Sequence, residues 1–169
     1  MLDCLPEYLE PARLADAGRS FRGSVAVAQL ERVRPELAQS TGTLEVEMRF
    51  RLDERRIRVL EGRIGGTLSL VCQRCLQALR LPLELEFRLG IVADEVEAGR
   101  LPAGYEPLLA NGEPLRSVDL VEDEVLLALP AIAVHGDAEP CSSGYRNRPL
   151  PQPDSPFAVL EKLKTRTTS

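Results

Sequence analysis

The sequence predicts an α+β fold, a single domain in which an antiparallel β-meander is packed by short helices. Three observations carry this expectation. Apolar and polar residues alternate in successive runs between Thr43 and Val92. Farther along, two short helices are announced by capping residues. The 169 residues, 44% apolar and 28% charged, suffice for one ordinary core but not for two comfortable ones. The domain is expected to span the chain, with its core from about 9 to 164, a Pro-rich linker over 146–156 and a flexible tail over 165–169.

In chain order, Glu10 to Ala17 reads as a helical turn, Phe21 to Val27 as a strand, and Gln29 to Gln39 as a helix interrupted by Pro35. Leu44, Val46, Met48, Phe50 and Leu52 alternate with Thr43, Glu45, Glu47, Arg49 and Arg51, the pattern of a half-buried strand with a charged outer face. Asp53 to Arg55 turns the chain. A second strand runs from Ile57 to Cys72, and its alternation slips near Gly62, Gly65 and Gly66, which predicts a bulge or sharp bend there. The third strand places Leu79, Leu81, Leu83, Leu85, Phe87, Leu89 and Ile91 on one face. Such a meander needs its apolar face covered, and helices are the candidates.

Asp119 followed by Glu122 has the spacing of a capping box, opening a helix that buries Val121, Val125, Ala128 and Leu129 and stops at Pro130. Glu122-Asp123-Glu124 is explained by the electrostatics of a helix start, since consecutive helical positions point in different directions. Near the end, Ser155 as N-cap and Pro156 at the first helical position open a short helix with Phe157, Leu160 and Leu163 on one side.

Charge is segregated. Residues 1–93 carry 14 basic and 13 acidic residues, residues 94–139 carry 2 and 11, and residues 140–169 carry 5 and 2, within a net charge of −5. That pattern excludes a uniformly cationic nucleic-acid coat. With no Trp and seven scattered aromatics, base stacking on a clustered aromatic sheet is also disfavoured. The longest apolar run, Val125 to Val134, is too short to span a bilayer and is broken by Pro130. Asp3, Glu7 and Glu10 with Pro6 and Pro11 do not suit a secretory signal, so a cytoplasmic location is expected.

The sharpest local feature is Cys72-Gln73-Arg74-Cys75 between the second and third strands. Two thiolates at this spacing in a strand-to-strand turn can face one tetrahedral ion, and a single pair is half a site. His135, the only histidine, and Cys141 lie in a loop after the capped helix and can supply the other half, giving a Cys3His site for one structural Zn²⁺. Other readings stand beside it. The cysteines can be free thiols at a turn with His135 solvated, and Cys4 is read as an ordinary thiol. A thioredoxin-like redox pair would need a helix after the motif, where a strand is expected. Nucleophilic hydrolysis has no strained elbow to support it, and Gly62-Arg63-Ile64-Gly65-Gly66 lacks the helix and Lys-Ser/Thr pair of a phosphate loop.

Arg49, Arg51, Arg55, Arg56, Arg58 and Arg63 cluster on the first hairpin, with Arg74 at the other. Arg49, Arg51, Arg56, Arg58 and Arg74 are candidate contacts for RNA or a partner; interleaved with Glu45, Glu47, Asp53 and Glu54, the same residues also read as a solvated sheet face.

Cys72-Gln73-Arg74-Cys75-Leu76, Tyr105-Glu106-Pro107, the stretch from Val121 to Pro130, His135 with Cys141, and Pro156 to Lys164, in that order, resemble the YceD family of large ribosomal RNA subunit accumulation proteins. The similarity runs from about Leu9 to Lys164, though the N-terminal part matches loosely apart from Phe21-Arg22-Gly23. The resemblance implies a non-enzymatic, cytoplasmic or stromal factor linked to synthesis, processing or stability of 23S ribosomal RNA. Its partners would be a precursor large subunit, its RNA or an assembly protein, with no membrane and no small-molecule substrate. Members differ in whether all the cysteines are present, so the resemblance leaves zinc optional. The competing expectations are a zinc-stabilised protein-interaction module unrelated to ribosomes and a thiol enzyme.

Overall fold

The computed structural model describes residues 5–136 and Cys141. Cys4, the Pro-rich stretch 146–156, the helix expected after Ser155 and the tail 165–169 lie outside the described residues.

The described chain is α+β. Its strands are β1 (Tyr8–Leu9), β2 (Ser20–Ala26), β3 (Leu37–Gln39), β4 (Thr43–Leu52), β5 (Arg58–Val71), β6 (Ala78–Val92), β7 (Glu106–Leu109) and β8 (Leu115–Arg116). The α-helices are α1 (Pro11–Asp16), α2 (Glu95–Ala98) and α3 (Ser117–Ala128). β4, β5 and β6 form the expected antiparallel meander. β2 is added antiparallel to β4, β7 parallel to β6, and β3 to the far half of β5 beyond the end of β4. The main sheet is therefore mixed and six-stranded.

Alternation decides the faces. On β4, Leu44, Val46, Met48 and Phe50 are buried, and on β5 Leu60, Ile64, Leu68 and Leu70 continue the same apolar surface. Phe21 of β2 meets Phe50 edge-on at 6.1 Å between ring centroids. The opposite face is a charge lattice set by register. One row reads Ser20, Arg49, Glu61, Arg88 and the next Arg22, Glu47, Arg63, Glu86. Opposite charges thus stand across neighbouring strands, the favourable arrangement for cross-strand pairs.

Several expectations are corrected. Residues 29–39 do not form an interrupted helix: they hold parts of two 3₁₀ turns, Val27–Gln29 and Arg34–Glu36, followed by β3. Pro35 cannot donate to a continuing helix, and Leu30 and Val33, between the two turns, are buried in the main core instead. No bulge interrupts β5 at its glycines: the β5–β6 ladder runs through Gly62, Gly65 and Gly66 without a register shift, and the β4–β5 ladder does so through Gly62 up to its end at Gly65. The glycines serve close approach: a Cβ at Gly62 would fall within the ring of Phe87, which lies over it from the paired position of β6.

Among the described residues Asp119 and Glu122 do not form the expected box, and a side-chain N-cap is found instead at Asp94, ahead of α2. Asp94 accepts from the Glu97 backbone N–H at 2.8 Å, and Glu97 accepts from the Ala93 N–H at 2.9 Å. α3 starts earlier, at Ser117, whose N–H donates to the Glu7 carbonyl at 2.9 Å beside the small β1–β8 ladder. A neighbouring backbone thus does what a cap side chain would do. Leu120, Val121 and Val125 are buried, about 2 kcal/mol each of apolar burial, while Ala128 and Leu129 are only half-buried.

Candidate metal centre

The β5–β6 hairpin turns through Cys72 to Gln77. The Cys72 N–H donates to the Gln77 carbonyl at 2.9 Å and the Leu76 N–H to the Cys72 carbonyl at 2.8 Å, with Leu76 at φ 60°. This tight turn brings Cys72 and Cys75 to one side. After Pro130 ends α3, the chain crosses to the same hairpin. The Gln73 N–H donates to the Ala133 carbonyl at 2.8 Å, and His135 Nε2 donates to the Ala78 carbonyl at 3.1 Å. With Nε2 protonated, Nδ1 presents its lone pair to the cysteines.

Ligand atoms of Cys72, Cys75, His135 and Cys141 all lie within 4.8 Å of one another, so these four can bind a metal ion. Cys72 Sγ is 3.9 Å from Cys141 Sγ; His135 Nδ1 is 3.5 Å from Cys75 Sγ and 3.8 Å from Cys141 Sγ. Tetrahedral geometry with sulfur at about 2.3 Å and nitrogen at about 2.0 Å from the metal requires edges of roughly 3.5–3.8 Å. The three separations of 3.5, 3.8 and 3.9 Å lie close to that figure. Cys72 is buried and the other three are half-buried. Burial opposes ionisation of Cys72, but backbone N–H groups of Cys75, Arg74 and His135, together with the Cys75 side chain, bring its pKa down to about 5. Burial and the two nearby sulfurs push Cys141 up, so a cation is what would let all three thiols ionise together. The hairpin placement also differs from the helix N-terminus that activates redox cysteine pairs.

The candidate arginines are not gathered at this centre, Arg74 apart. Arg51 makes a two-pronged contact with Glu61, and Arg58 does the same with Asp16 at 2.8 and 3.0 Å. Arg49, Arg56 and Arg74 are exposed and form no ion pair among the described residues. Sequence reasoning missed two polar clusters. Glu122 is buried and accepts from the Arg32 side chain at 2.8 Å and from the Arg32 backbone N–H at 2.6 Å, while Asp123 takes the other branch of the same guanidinium. Glu122 and Asp123 of the acidic triplet are therefore a clamp on the loop before β3, not a helix-start decoration. Tyr105 donates to Asp53 at 2.7 Å and accepts from Arg88 at 2.8 Å, with the Arg88 guanidinium 4.4 Å over its ring. Neither pairing has a local signal, because the partners are distant in sequence.

A family model described as large ribosomal RNA subunit accumulation protein YceD matches residues 60–164, a span that contains all four candidate ligands. A protein of Haemophilus influenzae with that same name is 32% identical over 169 residues, covering 95% of this chain and 96% of the relative. No solved structure matches the chain.

Proposed function

The chain belongs to the YceD family of large ribosomal RNA subunit accumulation proteins, and from that membership we propose that it is a non-enzymatic ribosome biogenesis factor. It supports synthesis, processing or stability of 23S ribosomal RNA in the cytoplasm. The observation that carries this reading is the near full-length match to a relative bearing that name. The geometry favours binding over catalysis. A Cys3His set supplies four protein ligands, as in structural zinc sites, whereas catalytic zinc keeps a position open for water or substrate. The ion is Zn²⁺, which suits this donor set and tetrahedral spacing, and its role is to fasten the hairpin to the loop after α3. Partners are a precursor large subunit, its RNA or an assembly protein, met through Arg49, Arg56 and Arg74 and through the acidic segment that follows β6.

The test is sucrose-gradient sedimentation with quantification of mature 23S RNA in a strain lacking the protein. A deficit of large subunits, restored by the wild-type chain, is expected. Normal gradients and normal 23S RNA would reject the ribosomal role, and then the zinc-stabilised interaction module is the reading that stands.

A further inference from the structure

β6 is paired with β5 from Ala78 to Gly90 on one side, but on the other β7 covers only Leu89 to Val92. The chain enters that lane only after Gly104, at a φ of +97°, just before β7. At the opposite end the His135 ring closes the lane at the Ala78 carbonyl. Between these limits no described strand pairs with the outward edge of β6. Pro82 blunts the half nearer the metal centre, since it has no N–H to offer, and leaves Glu84 to Arg88 as the pairing-competent part.

A groove of about 840 Å³ lies along this part. Leu85, Glu86, Phe87 and Arg88 all line it. Gly104, Tyr105 and Glu106, at the entry to β7, line it as well, which puts the groove on the outward edge of β6. Its far wall is α3, where Leu127 is 76% exposed, and its rim carries Glu106 and Glu124. Neither glutamate forms an ion pair among the described residues, whereas Glu86 is matched by Arg63. Burial, and then the like charges of Glu106 and Asp123, hold the Glu124 carboxyl above its ordinary range, a tension that an incoming cation would relieve.

We propose that this lane is a strand-addition site for an extended basic peptide segment of a partner protein, which pairs its backbone with β6, sets apolar side chains on Phe87 and Leu127, and brings a Lys or Arg to Glu106 and Glu124. Backbone pairing supplies affinity in such sites, and the flanking pockets supply selectivity. The inference stands on the groove and does not depend on the ribosomal role.

Fluorescence anisotropy of the full chain with a labelled ten-residue peptide of alternating lysine and valine tests it. Saturable binding is expected, weakened at least tenfold when alternate peptide nitrogens are methylated and at least tenfold by the E106K/E124K double variant, which gains binding to the glutamate–valine counterpart. No saturable binding, or equal binding of the methylated peptide, would overturn the proposal, the latter reducing the contact to charge alone. Binding seen only after Phe157, Leu160 and Leu163 are replaced by serine would assign the lane to this chain's own C-terminal segment. Self-association in sedimentation equilibrium, lost in the double variant, would assign it to a second copy. Either result also overturns the proposal, and none of these readouts bears on 23S RNA levels.

Discussion

Glu122 shows how much one side chain can hold. It is buried and serves as acceptor for the Arg32 guanidinium and for two backbone N–H groups, Arg32 and Val33, that would otherwise lack partners. Burial alone would raise its pKa, but these donors outweigh burial and the carboxyl is held below its ordinary value of 4.5. A depressed folded-state pKa contributes stability that is fully present above the unfolded value and is lost as pH falls through the folded one. Glu122→Gln should therefore cost about 2 kcal/mol at pH 7, and the gap from wild type should narrow steadily below about pH 4.5. Urea denaturation at a series of pH values checks this, and a gap that is independent of pH would contradict it. Leu76 is the opposite case. It sits at φ 60° and is 74% exposed, so its side chain is strained in the left-handed region and buries little. Leu76→Gly should leave stability unchanged or raise it by up to about 1 kcal/mol in the same assay. A loss above that size would show that the leucine packs in the fold. Cys72 and Cys75 were legible as a pair from spacing alone; Glu122 and Tyr105 were not, because long-range hydrogen-bond partners leave no periodic trace.

Among elements, those built on alternation were legible to the residue or nearly so. β4 runs from Thr43 to Leu52 as its pattern requires, and β6 holds Leu79 through Ile91 on one face. Short elements whose stability comes from tertiary pairing were not legible: β3, β7 and β8 have two to four residues each and form only because β5, β6 and β1 present edges to them. The expected bulge failed for a specific reason. Glycine at 62 removes a side chain where the Phe87 ring must lie, so apolar alternation lapses on β5 while backbone pairing continues. Gly62→Ala should accordingly destabilise by about 2–3 kcal/mol through overpacking, and most of that loss should disappear when Phe87→Leu is added. A double-mutant cycle by thermal denaturation measures the coupling; additive effects would contradict the ring-over-glycine contact.

At the scale of the whole molecule, the hairpin between β5 and β6 and the loop after α3 come from segments about 60 residues apart, and the four candidate ligands join them. With α3 otherwise anchored by Leu120, Val121, Val125 and the Arg32 clamp, a bound ion would couple the helix to the far end of the sheet. Chelation should therefore lower the melting temperature and expose the hairpin end first, seen as faster amide exchange at Gln73 and Leu76. Unchanged melting and exchange would mean that the cluster does not fasten the fold. The pairing of His135 with the hairpin was foreseeable from ligand chemistry, whereas the parallel β7 and the lane beside it needed the three-dimensional path of residues 94–116. Metal analysis of the purified full chain bears most directly on the centre. One equivalent of zinc per chain, falling in the Cys72→Ser, Cys75→Ser double variant, is the predicted result; less than about half an equivalent in the wild-type chain purified without chelator would contradict the Cys3His site.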